Sequence, residues 1–109
     1  MLIVMKAKEL QCALDQMNPE AVAQAADMLR TLAHPVRLRI IDLLHTTDEL
    51  PVGKITDYLG ITQAATSQHL NQMRRDRLLK GERRGKAVWY SITDARPIAL
   101  LNCLCNCCK

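Results

Sequence analysis

Four of the chain's five cysteines fall within six positions, Cys103-Leu104-Cys105-Asn106-Cys107-Cys108, and the fifth, Cys12, lies near the other end. Thiols at this density are soft ligands and prefer thiophilic ions to hard ones. On a helix, Cys103 and Cys107 stand at i,i+4 and Cys105 and Cys108 at i,i+3, so each pair shares a face. Two or three thiolates suit trigonal As(III) or Sb(III), linear or trigonal Cu(I), and Cd(II). Four suit tetrahedral Zn(II). The tail holds no His, Asp or Glu, which puts As(III) first among the ions it would bind. Close thiols also form disulfides or polysulfide bridges under oxidants. Cysteine is equally a small buried hydrophobe, and Ile98, Leu101, Cys105 and Cys108 would suit a packed seam. Four thiols this close exceed what packing asks for.

A second constellation lies upstream. Gln63, Ala64, Thr66, Ser67, Gln68, His69, Asn71 and Gln72 are short or amide-bearing side chains on one predicted helix, the kind that meets base edges and phosphates in a major groove. Arg74-Arg75 follow, and then Arg83-Arg84-Gly85-Lys86. The net charge of +4 is unevenly spread: residues 1–50 carry five basic and seven acidic groups, residues 51–109 ten basic and four acidic. A localised basic stripe is the electrostatic footprint of a polyanion partner. A solvated charged face would give the same count, but the order argues otherwise. A polar helix followed by a cation-tipped hairpin is how a winged helix meets double-stranded DNA. His69 has no second His or Cys three or four residues away, so it reads as a DNA contact or a packing group. His34 and His45 read as structural.

The elements that must position these groups follow from spacing and punctuation. Leu2, Met5, Leu10, Ala13, Leu14 and Met17 predict a first helix over 2–17, which carries Cys12. Asn18-Pro19 restarts the chain into a second helix with Val22, Ala25, Ala26, Leu29 and Leu32 on one face. His34-Pro35 begins another with Val36, Ile40, Leu43 and Leu44. Residues 48–51 read as a turn and 52–59 as a short helix, with Gly60 just past its end. Thr62 caps a helix over about 63–78 with Leu70, Met73 and Leu78 inward. From Lys80 the period drops to two, and Val88, Tyr90 and Ile92 alternate with Trp89 and Ser91, predicting a hairpin with a basic tip. Thr93 or Asp94 caps a last helix with Pro97 in its first turn.

At 109 residues and 49% hydrophobic content, one domain with one core is expected, mainly α with a small β-hairpin. Its three aromatic residues, Tyr58, Trp89 and Tyr90, leave the core to aliphatic side chains. No run is long and apolar enough for a bilayer, and the apolar start Met1–Met5 is too short for a signal sequence. No membrane role and a cytoplasmic location are therefore expected. There thiols stay reduced, which favours metal or redox chemistry over structural disulfides.

Three blocks carry a family resemblance. Leu32-Ala33-His34-Pro35-Val36-Arg37-Leu38-Arg39-Ile40-Ile41-Asp42-Leu43-Leu44, the helix segment Ala65-Thr66-Ser67-Gln68-His69-Leu70, and the strand Val88-Trp89-Tyr90-Ser91-Ile92 resemble the conserved segments of the ArsR/SmtB repressors. The resemblance implies a winged helix-turn-helix homodimer, paired through its first and last helices (1–18 and 94–109), with the helix-turn-helix over 52–78 and the wing over 80–92. It implies operator binding that is lost when an inducer, usually a metal or metalloid ion, is bound. Residues 63–69 would read the operator, supported by Gln72 and Arg74, with Arg83, Arg84 and Lys86 on the DNA backbone.

The family's better-known sensor positions are not matched. Pro51-Val52-Gly53 stands where arsenic-type members carry Cys-x-Cys. Asp94-Ala95-Arg96 lacks the His of the zinc type, although Cys107 falls near its later His. Asp42 takes the place of one thiol of the persulfide-sensing pair. The sensor expected here is thus Cys103, Cys105, Cys107 and Cys108, with Cys12 as a further ligand through helix pairing, and As(III) or Sb(III) as inducer. A thiol-redox or persulfide sensor, or a Cu(I), Cd(II) or Zn(II) sensor, is the alternative on the same fold. A thiol-rich metal carrier would leave the wing unexplained. No enzyme is expected, since paired carboxylates, a phosphate-cradling glycine loop and a Cys-His-Asp arrangement are lacking.

Overall fold

The computed structural model describes residues 16–107. The chain divides into two units, Met1–Arg30 and Thr31–Lys109. Helix α1 (Pro19–Leu32) begins in the first unit, where Asn18 Oδ1 accepts the Ala21 N–H at 2.7 Å and Pro19 opens the first turn. Its final residues, Thr31 and Leu32, belong to the second unit. Gln16 and Met17 form a turn and a bend, not the end of the helix expected over 2–17. The remainder of that segment, with Cys12, lies outside the described residues.

The second unit runs α2 (Pro35–Thr47), β1 (Glu49–Pro51), α3 (Val52–Leu59), α4 (Gln63–Arg75), β2 (Leu79–Arg84), β3 (Ala87–Ile92) and α5 (Arg96–Cys107). Its core is aliphatic, as composition requires: Leu32, Ile40, Ile41, Leu44, Ile55, Leu70, Met73 and Leu78 are almost wholly buried, and Tyr90 joins them. Ile40, Ile41 and Leu44 recur at helical spacing and put one face of α2 into that core.

The turn between α3 and α4 is set locally. Gly60 adopts φ 67, a left-handed conformation that costs glycine nothing, and its N–H closes the helix on the Thr56 carbonyl. Thr62 Oγ1 then accepts the Ala65 N–H at 3.1 Å and starts α4. Helix α4 ends at Arg75, three residues short of the expected end at 78. Asp76 caps it and Arg77 turns to φ 63. Leu78 is buried all the same, which is why apolar spacing alone extended the helix. Thr93, just before α5, holds this corner: its hydroxyl donates to the Arg77 carbonyl at 2.8 Å and its N–H to the Leu78 carbonyl at 3.0 Å.

The expected hairpin is part of a three-stranded antiparallel sheet in the order β1-β3-β2. Residues 48–51, read as a turn, are turn-like only at Asp48, with φ 71; Glu49–Pro51 pairs with Trp89–Ser91. Three residues are too few to show alternation, and Pro51, which cannot donate, is tolerated because β1 is an edge strand. The β2–β3 hairpin starts at Leu79 and turns through Gly85-Lys86, where Gly85 takes φ 64. Helix α5 starts two residues after the expected 94. Asp94 Oδ1 accepts the Arg96 N–H at 2.9 Å, and Pro97 is buried in the first turn. No helix among the described residues is long and apolar enough to cross a membrane.

Candidate nucleic-acid interface and thiol helix

Helix α4 sorts its side chains by face. Leu70, Met73 and Thr66 are buried, while Gln63, Ala64, Gln68, Asn71, Arg74 and Arg75 are exposed and Ser67 is half-buried. The exposed set recurs at three- and four-residue intervals, so it forms one continuous polar face. Thr66 was expected on that face and is not. It is fully buried, and its hydroxyl donates to the Thr62 carbonyl at 3.0 Å. Its position one turn before Leu70 dictates this, and the polarity of threonine disguised it. Gln72 is only half-buried, but both ends of its amide are occupied: Nε2 donates to Asp76 at 3.1 Å and Oε1 accepts from Arg75 at 3.0 Å.

His69 sits at the margin of the polar face. Its Nδ1 accepts from Arg37 Nε at 3.1 Å, and its ring meets that of His34 edge to face with centroids 4.6 Å apart. Burial, then His34 and Arg37, holds its pKa below the ordinary imidazole value. His34 itself caps α2, accepting the Val36 N–H on Nδ1 at 3.2 Å. Arg37 was not singled out by the sequence. Its spacing of three from His34 was the available signal, but the contact to His69 spans 32 positions.

In the wing, register separates adjacent arginines. Arg83 pairs with Val88 on the face shared by Gly81 and Tyr90, while Arg84 pairs with Ala87 on the opposite face with Glu82 and Trp89. Arg74 leans over the first of these faces: its Cδ lies 3.7 Å from where a β-carbon on Gly81 would stand. Arg84, expected on the DNA backbone, is engaged within the sheet. It donates to both oxygens of Glu49 at 2.7 and 2.9 Å and to Glu82 at 3.3 Å, with its Cζ 5.1 Å from the Trp89 ring centroid. The hydrogen bond from Arg84 is the main cause of a lowered Glu49 pKa. Arg83 and Lys86 make no ion pair among the described residues.

Helix α5 carries Cys103, Cys105 and Cys107 as exposed free thiols. Cys103 and Cys107 are one turn apart on one face; Cys105 points elsewhere around the helix. Cys108 lies outside the described residues, as does Cys12. Among the described residues, no three His, Cys, Asp or Glu side chains converge on one metal position. A fit to a soft ion therefore rests on the thiols of a single helix end.

A short helix, a glycine turn, a longer polar helix and a cationic wing together define a winged helix-turn-helix DNA-binding protein. A helix-turn-helix domain family model matches residues 32–82. The chain is 37% identical over 79 residues to the transcriptional repressor PagR of Bacillus anthracis, spanning 72% of this chain and 79% of that one. It is 35% identical over 83 residues to the HTH-type transcriptional regulator YgaV of Escherichia coli, spanning 76% and 84% respectively. The crystal structure of PagR superposes with a TM-score of 0.72 at 33% identity, covering 80% of this chain and 99% of that one. HlyU from Vibrio cholerae gives 0.73 at 31%, covering 85% and 100%. The chain belongs to the ArsR/SmtB family of transcriptional repressors. Its relatives and its fold are those of DNA-binding regulators, not enzymes.

Proposed function

We propose that this repressor binds its operator as a homodimer and releases it when the C-terminal thiolates hold a soft inducer, As(III) or Sb(III) first. The carrying observation is the exposed pair Cys103 and Cys107 on one face of α5, with Cys105 beside it. Thiols without nitrogen or carboxylate partners match a thiophilic ion best. Cys108 would add a fourth sulfur, and Cys12 a further one where first and last helices pair. Leu104, 43% exposed between these thiols, is the kind of side chain a subunit seam would cover.

On the DNA side, Gln63, Ala64, Ser67, Gln68, His69 and Arg74 are assigned to the groove, with Arg83 and Lys86 on phosphates. Asn71 shares their face. Gln72 braces Asp76, and Arg84 braces the sheet. The thiol helix reaches the reading helix through Thr93, which precedes α5 and clamps the corner where α4 ends. A change of shape in α5 would be felt there, and a coupling of about 1–3 kcal/mol is enough to switch operator binding.

The test is fluorescence anisotropy of the reduced protein on a labelled duplex from its own promoter, with arsenite titrated in. Release at near-stoichiometric arsenite is expected. Replacement of all tail cysteines by Ser should keep DNA binding and abolish release. Binding that survives arsenite would reject the metalloid and bring Cu(I), Cd(II), Zn(II) and oxidants forward; loss of DNA binding in the Ser variant would reject the tail as a separable sensor.

A further inference from the structure

His69 has a neighbourhood that reading DNA does not by itself require. Arg37 Nε donates to His69 Nδ1 at 3.1 Å. A guanidinium nitrogen donates and never accepts, so Nδ1 is the lone-pair nitrogen and the proton of the neutral ring sits on Nε2. The fork is anchored in turn, because another Arg37 nitrogen donates to the Thr31 carbonyl at 3.2 Å. On the other flank stands the His34 ring, edge to face with an interplanar angle of 63°. His34 is oriented by its own cap bond to Val36.

The side chains that touch His69 include no acid. Helix α2 and its cap contribute Arg37 and His34. At the end of α4, Arg74, Arg75 and Asp76 are the charged groups, and Asp76, which lies near Arg37, is bound to Thr31 and Gln72 rather than to His69. Among the described residues, no carboxylate therefore hydrogen-bonds to His69, and an added ring proton gains no acceptor here.

We infer that Arg37 and His34 are positioning residues for operator recognition: they hold His69 as the neutral Nε2–H tautomer, so that α4 offers DNA a hydrogen-bond donor that protonation of the ring displaces. This rests on the reading of α4 as the groove helix. Protonated His69 would set an Nδ1–H against the Arg37 Nε–H, donor against donor. The ring would have to turn away from Arg37, and its Nε2–H would leave its place. The sign is opposite to the usual one. A histidine at a DNA surface ordinarily strengthens binding when acid charges it; here acid weakens binding. Because the folded-state pKa lies below the ordinary 6.5, the weakening belongs to the range beneath that value.

The test uses the full reduced chain without inducer, on a labelled duplex from its own promoter, at fixed ionic strength from pH 7.5 down to 5. Affinity should hold near neutrality and fall below pH 6.5. His69→Asn keeps an acceptor for Arg37 but has no titrating proton, so its profile should lack that fall. Arg37→Met keeps a long stem without the donor, and should weaken binding about tenfold at pH 7.5. Long-range proton–nitrogen NMR on the wild-type imidazoles reads the tautomer without DNA, and does not depend on either variant folding. It should show His69 protonated at Nε2 alone at neutral pH. A failure of the wild type to bind the duplex at pH 7.5 overturns the groove-helix reading and this inference with it. Binding with a flat or rising acid profile, a fall that persists in His69→Asn, or an Nδ1–H tautomer overturns the inference alone.

Discussion

Thr66 and Gln68 stand two residues apart on α4 and have opposite fates. Thr66 is buried and its hydroxyl donates to a carbonyl that already accepts the Thr66 N–H at 3.0 Å. Thr66→Val keeps the shape and leaves that carbonyl satisfied. It should cost less than about 1 kcal/mol in urea unfolding and leave operator affinity within about twofold. Gln68→Ala, on the exposed face, should leave the fold intact and weaken operator binding by about 1–3 kcal/mol, as the loss of an amide–base contact does. Operator affinity unchanged in Gln68→Ala would take this residue out of the interface. Composition alone placed both residues on the DNA face; only the three- and four-residue interval to Leu70 and Met73 separates them.

At the scale of the element, the wing is a hairpin with two adjacent arginines doing different work. Register turns Arg83 to one face and Arg84 to the other, where Glu49 holds it bidentately. Lys86 is at the tip, where the proposed function sets it on phosphate. Lys86→Ala should reduce the slope of log affinity against log salt by about one unit and weaken all sequences alike. Arg84→Ala should leave that slope unchanged and instead loosen the junction of β1 with the hairpin, seen as faster amide exchange at Glu49–Pro51. An equal loss of slope in both variants would show that Arg84 exchanges Glu49 for phosphate on DNA. The β1 partner was not visible in the sequence, because a three-residue edge strand ending in proline carries no period to read.

At the scale of the molecule, Asp76 joins elements that are remote in sequence. It accepts from the Thr31 hydroxyl and from Gln72, and Arg37 and Arg75 lie near. Burial pushes its carboxyl pKa up, but these hydrogen bonds and charges outweigh burial and hold it below the ordinary value. A depressed carboxylate stabilises the fold above its unfolded-state pKa of 3.8, and that contribution is lost as pH falls through the lower folded-state value. Asp76→Asn should therefore be less stable than the wild type at neutral pH, with the gap closing in acid. A gap that is constant from pH 7 to 2 in denaturant unfolding would show that the charge is immaterial.

Much of this molecule is written in one dimension. Helical spacing, Asn18, Gly60 and Thr62 as caps, and the change of period at Lys80 place the helix-turn-helix and the wing, because these are local signals set by neighbours within a turn. The cysteine cluster and the basic stripe are equally plain, being matters of residue type. What only the tertiary structure decided is which polar side chains are already spent. Arg84 is held by Glu49 across 35 positions, Asp76 by Thr31 across 45, and Arg37 reaches His69 across 32. Such pairings depend on how packed elements bring distant donors and acceptors together, and no local pattern of residues encodes that distance.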